Sequence, residues 1–158
     1  MKLYTDTNGD SWIYKTHWGS DTVDVCSWYG IWCASGKIYQ ISLNSNSLVG
    51  TIPSELGMLE KLRNLYLATN DLEGSIPSEL GNAQSLQYVH LYTNSLIGTI
   101  PIELGQLTSL YDLKLSHNSV EGTIPSELGE ATALKILRVY DNEITGSMPA
   151  EICSLSMS

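Results

Sequence analysis

A motif of 24 residues recurs five times along this chain, with copies beginning at Ile38, Leu62, Leu86, Leu110 and Leu134. The clearest copy runs from Leu86 to Gly105 as Leu-Gln-Tyr-Val-His-Leu-Tyr-Thr-Asn-Ser-Leu-Ile-Gly-Thr-Ile-Pro-Ile-Glu-Leu-Gly. A fixed period of this length specifies a solenoid, in which each repeat forms one coil and neighbouring coils bury each other's apolar edges. A coil of this size has no pocket of its own. It offers a long surface, and such surfaces recognise other macromolecules.

Each copy reads L-x-x-L-x-L-x-x-N-x-L-x-G-x-I-P-x-x-L-G, with small departures. The opening L-x-x-L-x-L alternates apolar and polar residues, the period of a half-buried strand. Stacking the coils places these strands side by side as one parallel sheet, roughly 4.8 Å apart. Asn46, Asn70, Asn94, Asn118 and Asn142 follow at one offset, where a side-chain amide can satisfy backbone groups left unpaired by the bend. Gly50, Gly74, Gly98, Gly122 and Gly146 come four residues later, at a turn that calls for glycine. Pro53, Pro77, Pro101, Pro125 and Pro149 are all the prolines in the chain, and each sets φ where the coil turns onto its back. The Ser-Glu-Leu-Gly that follows has room for a turn or two of 3₁₀ helix.

This repeat, with its added G-x-I-P segment, resembles the plant-type leucine-rich repeat family, over roughly Ile38 to Ile152. The resemblance implies an α/β fold: a right-handed solenoid with a parallel β-sheet on the concave face and short 3₁₀ or helical turns on the convex face. Members of that family are ectodomains of receptor-like kinases and receptor-like proteins, and secreted inhibitors such as polygalacturonase-inhibiting proteins. Similar repeats occur in algae and other protists. Residues 1–37 lie before the repeats and carry all four tryptophans, Trp12, Trp18, Trp28 and Trp32. A solenoid needs such a terminal unit, apolar inside and polar outside. Cys26-Ser-Trp-Tyr-Gly-Ile-Trp-Cys33 resembles the paired-cysteine cap of the family, which implies a Cys26–Cys33 disulfide and an oxidising, extracellular setting. Residues 38–157 make up the five repeats. Family members often pair a last-repeat cysteine with another in a C-terminal cap, and Cys153 has no such partner. The expectation is a piece of a longer protein, with Leu134, Leu137, Val139, Ile144, Met148 and Ile152 on an unstacked coil face. Coverage of that face by a partner, or self-association through it, is the alternative.

The solvent-facing strand positions can be read off the period, and their content is uneven. Six of nine tyrosines fall there: Tyr39, Tyr66, Tyr88, Tyr92, Tyr111 and Tyr140. Arg63, Lys114, Lys135 and Arg138 fall there as well, against Asp112 and Asp141. A chain of net charge -9 thus places a mildly basic, tyrosine-rich strip on one surface. Tyrosine and arginine anchor protein interfaces because they bury large area and keep a hydrogen-bonding tip. The candidate ligand-binding residues are Arg63, Tyr66, Tyr88, His90, Tyr92, Tyr111, Lys114, Arg138 and Tyr140. One column, Ser42-Tyr66-His90-Lys114-Arg138, crosses the whole sheet. Aromatic residues also suit exposed strands through propensity and cross-strand packing, so scaffold and ligand are both accounts of the strip.

The expected partners are a protein or peptide, with a glycan as a further option, or an enzyme opposed by the basic strip in the manner of an inhibitor. The acidic balance speaks against nucleic acid and anionic membranes. No apolar run approaches the ~18 residues of a membrane span, and Met1-Lys-Leu-Tyr does not open a signal peptide. Glu55, Glu79, Glu103, Glu127 and Glu151 repeat behind the prolines as a solvated ladder favoured at a helix start, without the carbonyl partners a cation requires. Asp6-Thr-Asn-Gly-Asp10 has its glycine two places early for a calcium loop. No cofactor or metal is expected. Ser116-His117 beside Asp112 lacks a cleft and an oxyanion hole, so no catalytic residue is assigned.

Overall fold

The computed structural model describes residues 2–155; Met1 and residues 156–158, with the end of the fifth repeat, lie outside the described residues. Ten strands, β1 to β10, occupy Ile31–Ala34, Lys37–Ser42, Val49–Thr51, Asn64–Tyr66, Asp71–Glu73, Tyr88–His90, Asp112–Lys114, Glu121–Gly122, Ile136–Arg138 and Glu143–Ile144 among the described residues. Helices α1 (Lys2–Asp6) and α2 (Ala150–Cys153) stand near the two ends. The main sheet has the order β1-β2-β4-β6-β7-β9. Only β1 runs antiparallel, as the edge contributed by the cap. The other pairs are parallel, and each residue faces the one 24 positions on: Ser42 faces Tyr66, Tyr66 faces His90, His90 faces Lys114, and Lys114 faces Arg138.

The sequence period explains this register. Each coil turns its leucines inward, so Leu62, Leu86, Leu110 and Leu134 are fully buried, as are Leu65, Val89 and Leu113 on the strands. Burying a side chain of this size stabilises by roughly 1.5–3 kcal/mol, and any slip of the coils would expose a whole row. The asparagines join coil to coil. Asn94 Oδ1 accepts from Leu72 N at 3.0 Å, and its Nδ2 donates to Leu67 O at 3.1 Å and to Leu91 O at 3.0 Å. Asn118 and Asn142 repeat the pattern. Asn46 has no earlier coil, and instead accepts from Tyr14 N at 2.6 Å and donates to Tyr14 O at 2.9 Å. The first rung of the ladder therefore ties the cap down.

Behind each of the first four prolines the chain makes a 3₁₀ turn, Ser54–Met58, Ser78–Asn82, Ile102–Gln106 and Ser126–Glu130, and behind Pro149 it makes α2. The glycine inside each turn is there for contact between coils. A Cβ on Gly81 would lie 2.5 Å from the Glu103 carbonyl oxygen of the next coil. Gly57 and Gly105 meet Glu79 and Glu127 in the same way. Two short sheets, β3-β5 and β8-β10, with isolated bridges between them, run along the G-x-I-P edge, where the register is 22 residues: Val49 faces Asp71, and Thr99 faces Glu121. The two-residue difference shifts that edge by about 6.6 Å per coil while keeping every side chain on its own face.

In the cap, Trp12, Trp18 and Trp28 pack edge to face or tilted, with ring centres 4.8 Å and 5.0 Å apart. Their indole N–H groups donate to the carbonyls of Thr7, Tyr29 and Val23. Cys26 and Cys33 form a disulfide, and Cys153 is free and exposed. The expected unstacked face at the last coil needs correction. Leu134 and Ile152 are fully buried, because the inner side of the coil is covered by the coil before it. Leu137, Val139 and Ile144 are partly buried, and Met148 is exposed.

Candidate ligand-binding surface

Two rows of side chains stand on the outer side of the main sheet. The first is the column Ser42-Tyr66-His90-Lys114-Arg138, in register across five strands. The second is Gln40-Asn64-Tyr88-Asp112-Ile136, and β1 extends it to Trp32, which pairs with Gln40. Tyr111 precedes β7, while Tyr92 and Tyr140 follow β6 and β9, so they flank the rows. Trp32, Tyr111 and Tyr140 are 44%, 40% and 53% exposed. Tyr66, Tyr88, His90, Tyr92 and Lys114 are half-buried, and Arg63 and Arg138 are exposed.

His90 is the centre of the aromatic group. Its ring lies 4.8 Å from Tyr66, 6.4 Å from Tyr88 and 6.2 Å from Tyr92, and Tyr88 lies 5.8 Å from Tyr111. Beneath them sits Asp112. Its Oδ2 is 2.9 Å from His90 Nε2 and 2.9 Å from Lys114 Nζ. The strand positions read as solvent-facing thus require a correction at Asp112, which is only 4% exposed because a short side chain among tall neighbours is covered by them. Ala68 and Ser116, placed outward by the same period, are buried too. Asp112 Oδ1 is buried without a hydrogen-bond partner among the described residues. Burial among the rings pushes the His90 imidazole below its ordinary value of 6.5, against the pull of Asp112 and with help from Lys114 and Arg138. Burial raises the Tyr66 phenol above 10.0, and Tyr88 and Asp112 add to the rise.

Next to this cluster, Tyr92, Lys114, Ser116, His117, Arg138 and Tyr140 line an open cleft of about 310 Å³. His117 Nδ1 pairs with Asp141 at 3.0 Å, and its ring meets Tyr140 edge-on at 5.3 Å. Ser116, His117 and Asp112 do not assemble into a relay, since Asp112 holds His90 and Lys114 while His117 holds Asp141. A larger open groove of about 860 Å³ lies on the other side of the coils, by Glu55, Glu79 and Glu103. It is the trough between stacked turns, and no group of acidic, histidine or cysteine side chains among the described residues is placed to hold a metal ion. Sequence reasoning passed over Asp112 as a clamp and Trp32 as part of the face. The first was available from the period: 24 residues before Asp112 is Tyr88, two places from His90, and Lys114 is two places further on.

The leucine-rich repeat profile matches residues 61–83, 85–107, 109–131 and 133–155. The chain belongs to the leucine-rich repeat family. Each matched segment starts one residue before a repeat read from the sequence. The curated relatives include the protein MALE DISCOVERER 2 of Arabidopsis thaliana, 37% identical over 68 residues, which are 42% of this chain and 10% of that protein. Among solved structures, the BIR2 ectodomain of Arabidopsis thaliana is 28% identical, with a TM-score of 0.89 over 99% of this chain and 84% of that one. The plant peptide hormone receptor RGFR1, in complex with RGF2, is 43% identical, with a TM-score of 0.73 over 74% of this chain and 19% of that one. The chain spans about 10% of the length of the curated relatives first matched. No helix among the described residues is long and apolar enough to cross a membrane.

Proposed function

We propose that this leucine-rich repeat chain is a non-enzymatic recognition module that binds a protein or peptide on its strand face. The contact residues are the nine tyrosine, histidine, lysine and arginine side chains named from the period, now joined by Trp32. One observation carries the reading. Tyr66, Tyr88, His90, Tyr92, Lys114 and Arg138 stand as neighbours on one partly open face of a chain whose overall charge is -9. Scaffold packing alone calls for aromatic residues there, but not for cations gathered against the net charge. The likeness to a peptide hormone receptor supports the choice of a peptide or protein. The disulfide, together with similarity to receptor ectodomains, supports an extracellular setting. The division that goes with this reading is a cap over residues 1–37 and five coils over residues 38–157.

A random-peptide display selection tests it. Peptides selected on the wild type are expected to lose most of their binding when Tyr66, Tyr88 and Arg138 are replaced by alanine together, and to keep it when Glu55, Glu79 and Glu103 are. The reverse pattern would move the site to the back of the coils.

A further inference from the structure

The cluster under the strand face holds three ionisable groups whose sum depends on one proton. Asp112 and Lys114 cancel, so with His90 neutral the trio carries no net charge. The proton of neutral His90 belongs on Nε2, since the atom 2.9 Å from it is a carboxylate oxygen that can only accept. Nδ1 is then an acceptor, and no described residue bonds it. Adding a proton at Nδ1 changes two things at once. The trio becomes net positive, and a new N–H donor appears beside Lys114 and Arg138, which continue the same column.

We propose that His90 gates the strand face by charge, so that the face takes an acidic peptide more tightly once His90 is protonated. This rests on the strand-face reading of the function. The groups that face His90 come from every strand around it: Tyr66 from β4, Tyr88 and Tyr92 from its own coil, Asp112 and Lys114 from β7, and Arg138 from β9. Asp112 favours the charged ring, while burial, Lys114 and Arg138 oppose it. The ring therefore charges only in acid, and a ligand carboxylate or sulfonate placed at Nδ1 would help it to do so. Asp112 acts here as a positioning residue, fixing which nitrogen points outward.

The test uses a fluorescent peptide of six cysteic acids, whose sulfonates stay ionised throughout. The His90 midpoint is first read from its ring NMR signals, identified by their loss in His90→Gln. Peptide affinity is then compared above and below that midpoint. One added charge at about 4 Å in water corresponds to roughly fivefold tightening on protonation. The same tightening is expected in His117→Gln, which removes the other histidine of the face, and not in His90→Gln. Lys114→Gln offers a second check: the His90 midpoint rises, and the remaining tightening moves with it. Equal affinity on both sides of the midpoint, or tightening that survives His90→Gln, overturns the gate. No binding at either pH also overturns it. Acidic display-selected peptides that need Tyr66 and Arg138 yet ignore pH would defeat the gate while leaving the strand-face reading intact.

Discussion

Replacing Gly81 by alanine tests how closely the coils approach. Gly81 does not have a left-handed φ, so alanine meets no backbone strain there. The obstacle is the next coil: the new Cβ would lie 2.5 Å from Glu103 O, 2.8 Å from Glu103 C and 2.7 Å from Glu103 Cβ. Two of these are backbone atoms held by the stack. Restoring an ordinary contact of 3.4 Å requires the two coils to part by about 0.9 Å at that point. Overpacking of this kind costs about 1–3 kcal/mol, and the backbone obstacle puts it near the upper end. Alanine recovers about 0.4–1 kcal/mol by restricting the unfolded chain. The net loss is about 2 kcal/mol, or roughly 4–8 °C in Tm for a domain of this size. Thermal and urea unfolding followed by circular dichroism would measure it. A Gly81→Ala protein within about 0.5 kcal/mol of wild type would refute the account of the back of the coil.

Four further outcomes follow from the structure. Asn94→Ala removes four inter- and intra-coil hydrogen bonds and strands buried backbone groups, so unfolding experiments should show a loss of about 3 kcal/mol. Reducing the Cys26–Cys33 disulfide, which closes a separation of 7 residues, should cost about 2 kcal/mol and release tryptophan fluorescence of the cap before the repeats melt. For pH, the folded-state value of His90 is depressed, so the unfolded chain binds the extra proton first. Stability should fall as pH drops below 6.5 and level off once folded His90 is charged, and His90→Gln should remove this dependence. Tyr66 has the opposite sense: its raised value stabilises the fold up to about pH 10.0, and that contribution is lost as pH climbs beyond.

Much of the architecture could be read from the period alone. A repeat of 24 with apolar residues alternating at its head leaves one register open, and the column from Ser42 to Arg138 has it. The asparagine ladder follows from the same logic, since a polar residue repeated at an inward bend must satisfy backbone groups. Other features need three dimensions. The depth of Asp112 depends on the height of His90, Tyr88 and Lys114 around it, which a list of outward positions does not contain. Gly81 reads as a turn residue until the facing carbonyl of Glu103 is located. Ser45, Thr69, Thr93, His117 and Asp141, one before each ladder asparagine, all adopt left-handed φ between 52° and 57°. No glycine marks that turn in the sequence. The 22-residue register of the two short sheets is hidden because it differs from the period that dominates the chain. Trp32 reads as one more cap tryptophan until β1 lays it beside Gln40.

The central claim is that recognition occurs on the strand face, and chemical-shift mapping tests it most directly. Labelled protein would be titrated with a display-selected peptide and followed by NMR. The account predicts shifts confined to Trp32, Tyr66, Tyr88, His90, Tyr92, Lys114 and Arg138 and their strand neighbours. Shifts centred on Glu55, Glu79 and Glu103, or on Leu137, Val139 and Ile144 of the last coil, would contradict it.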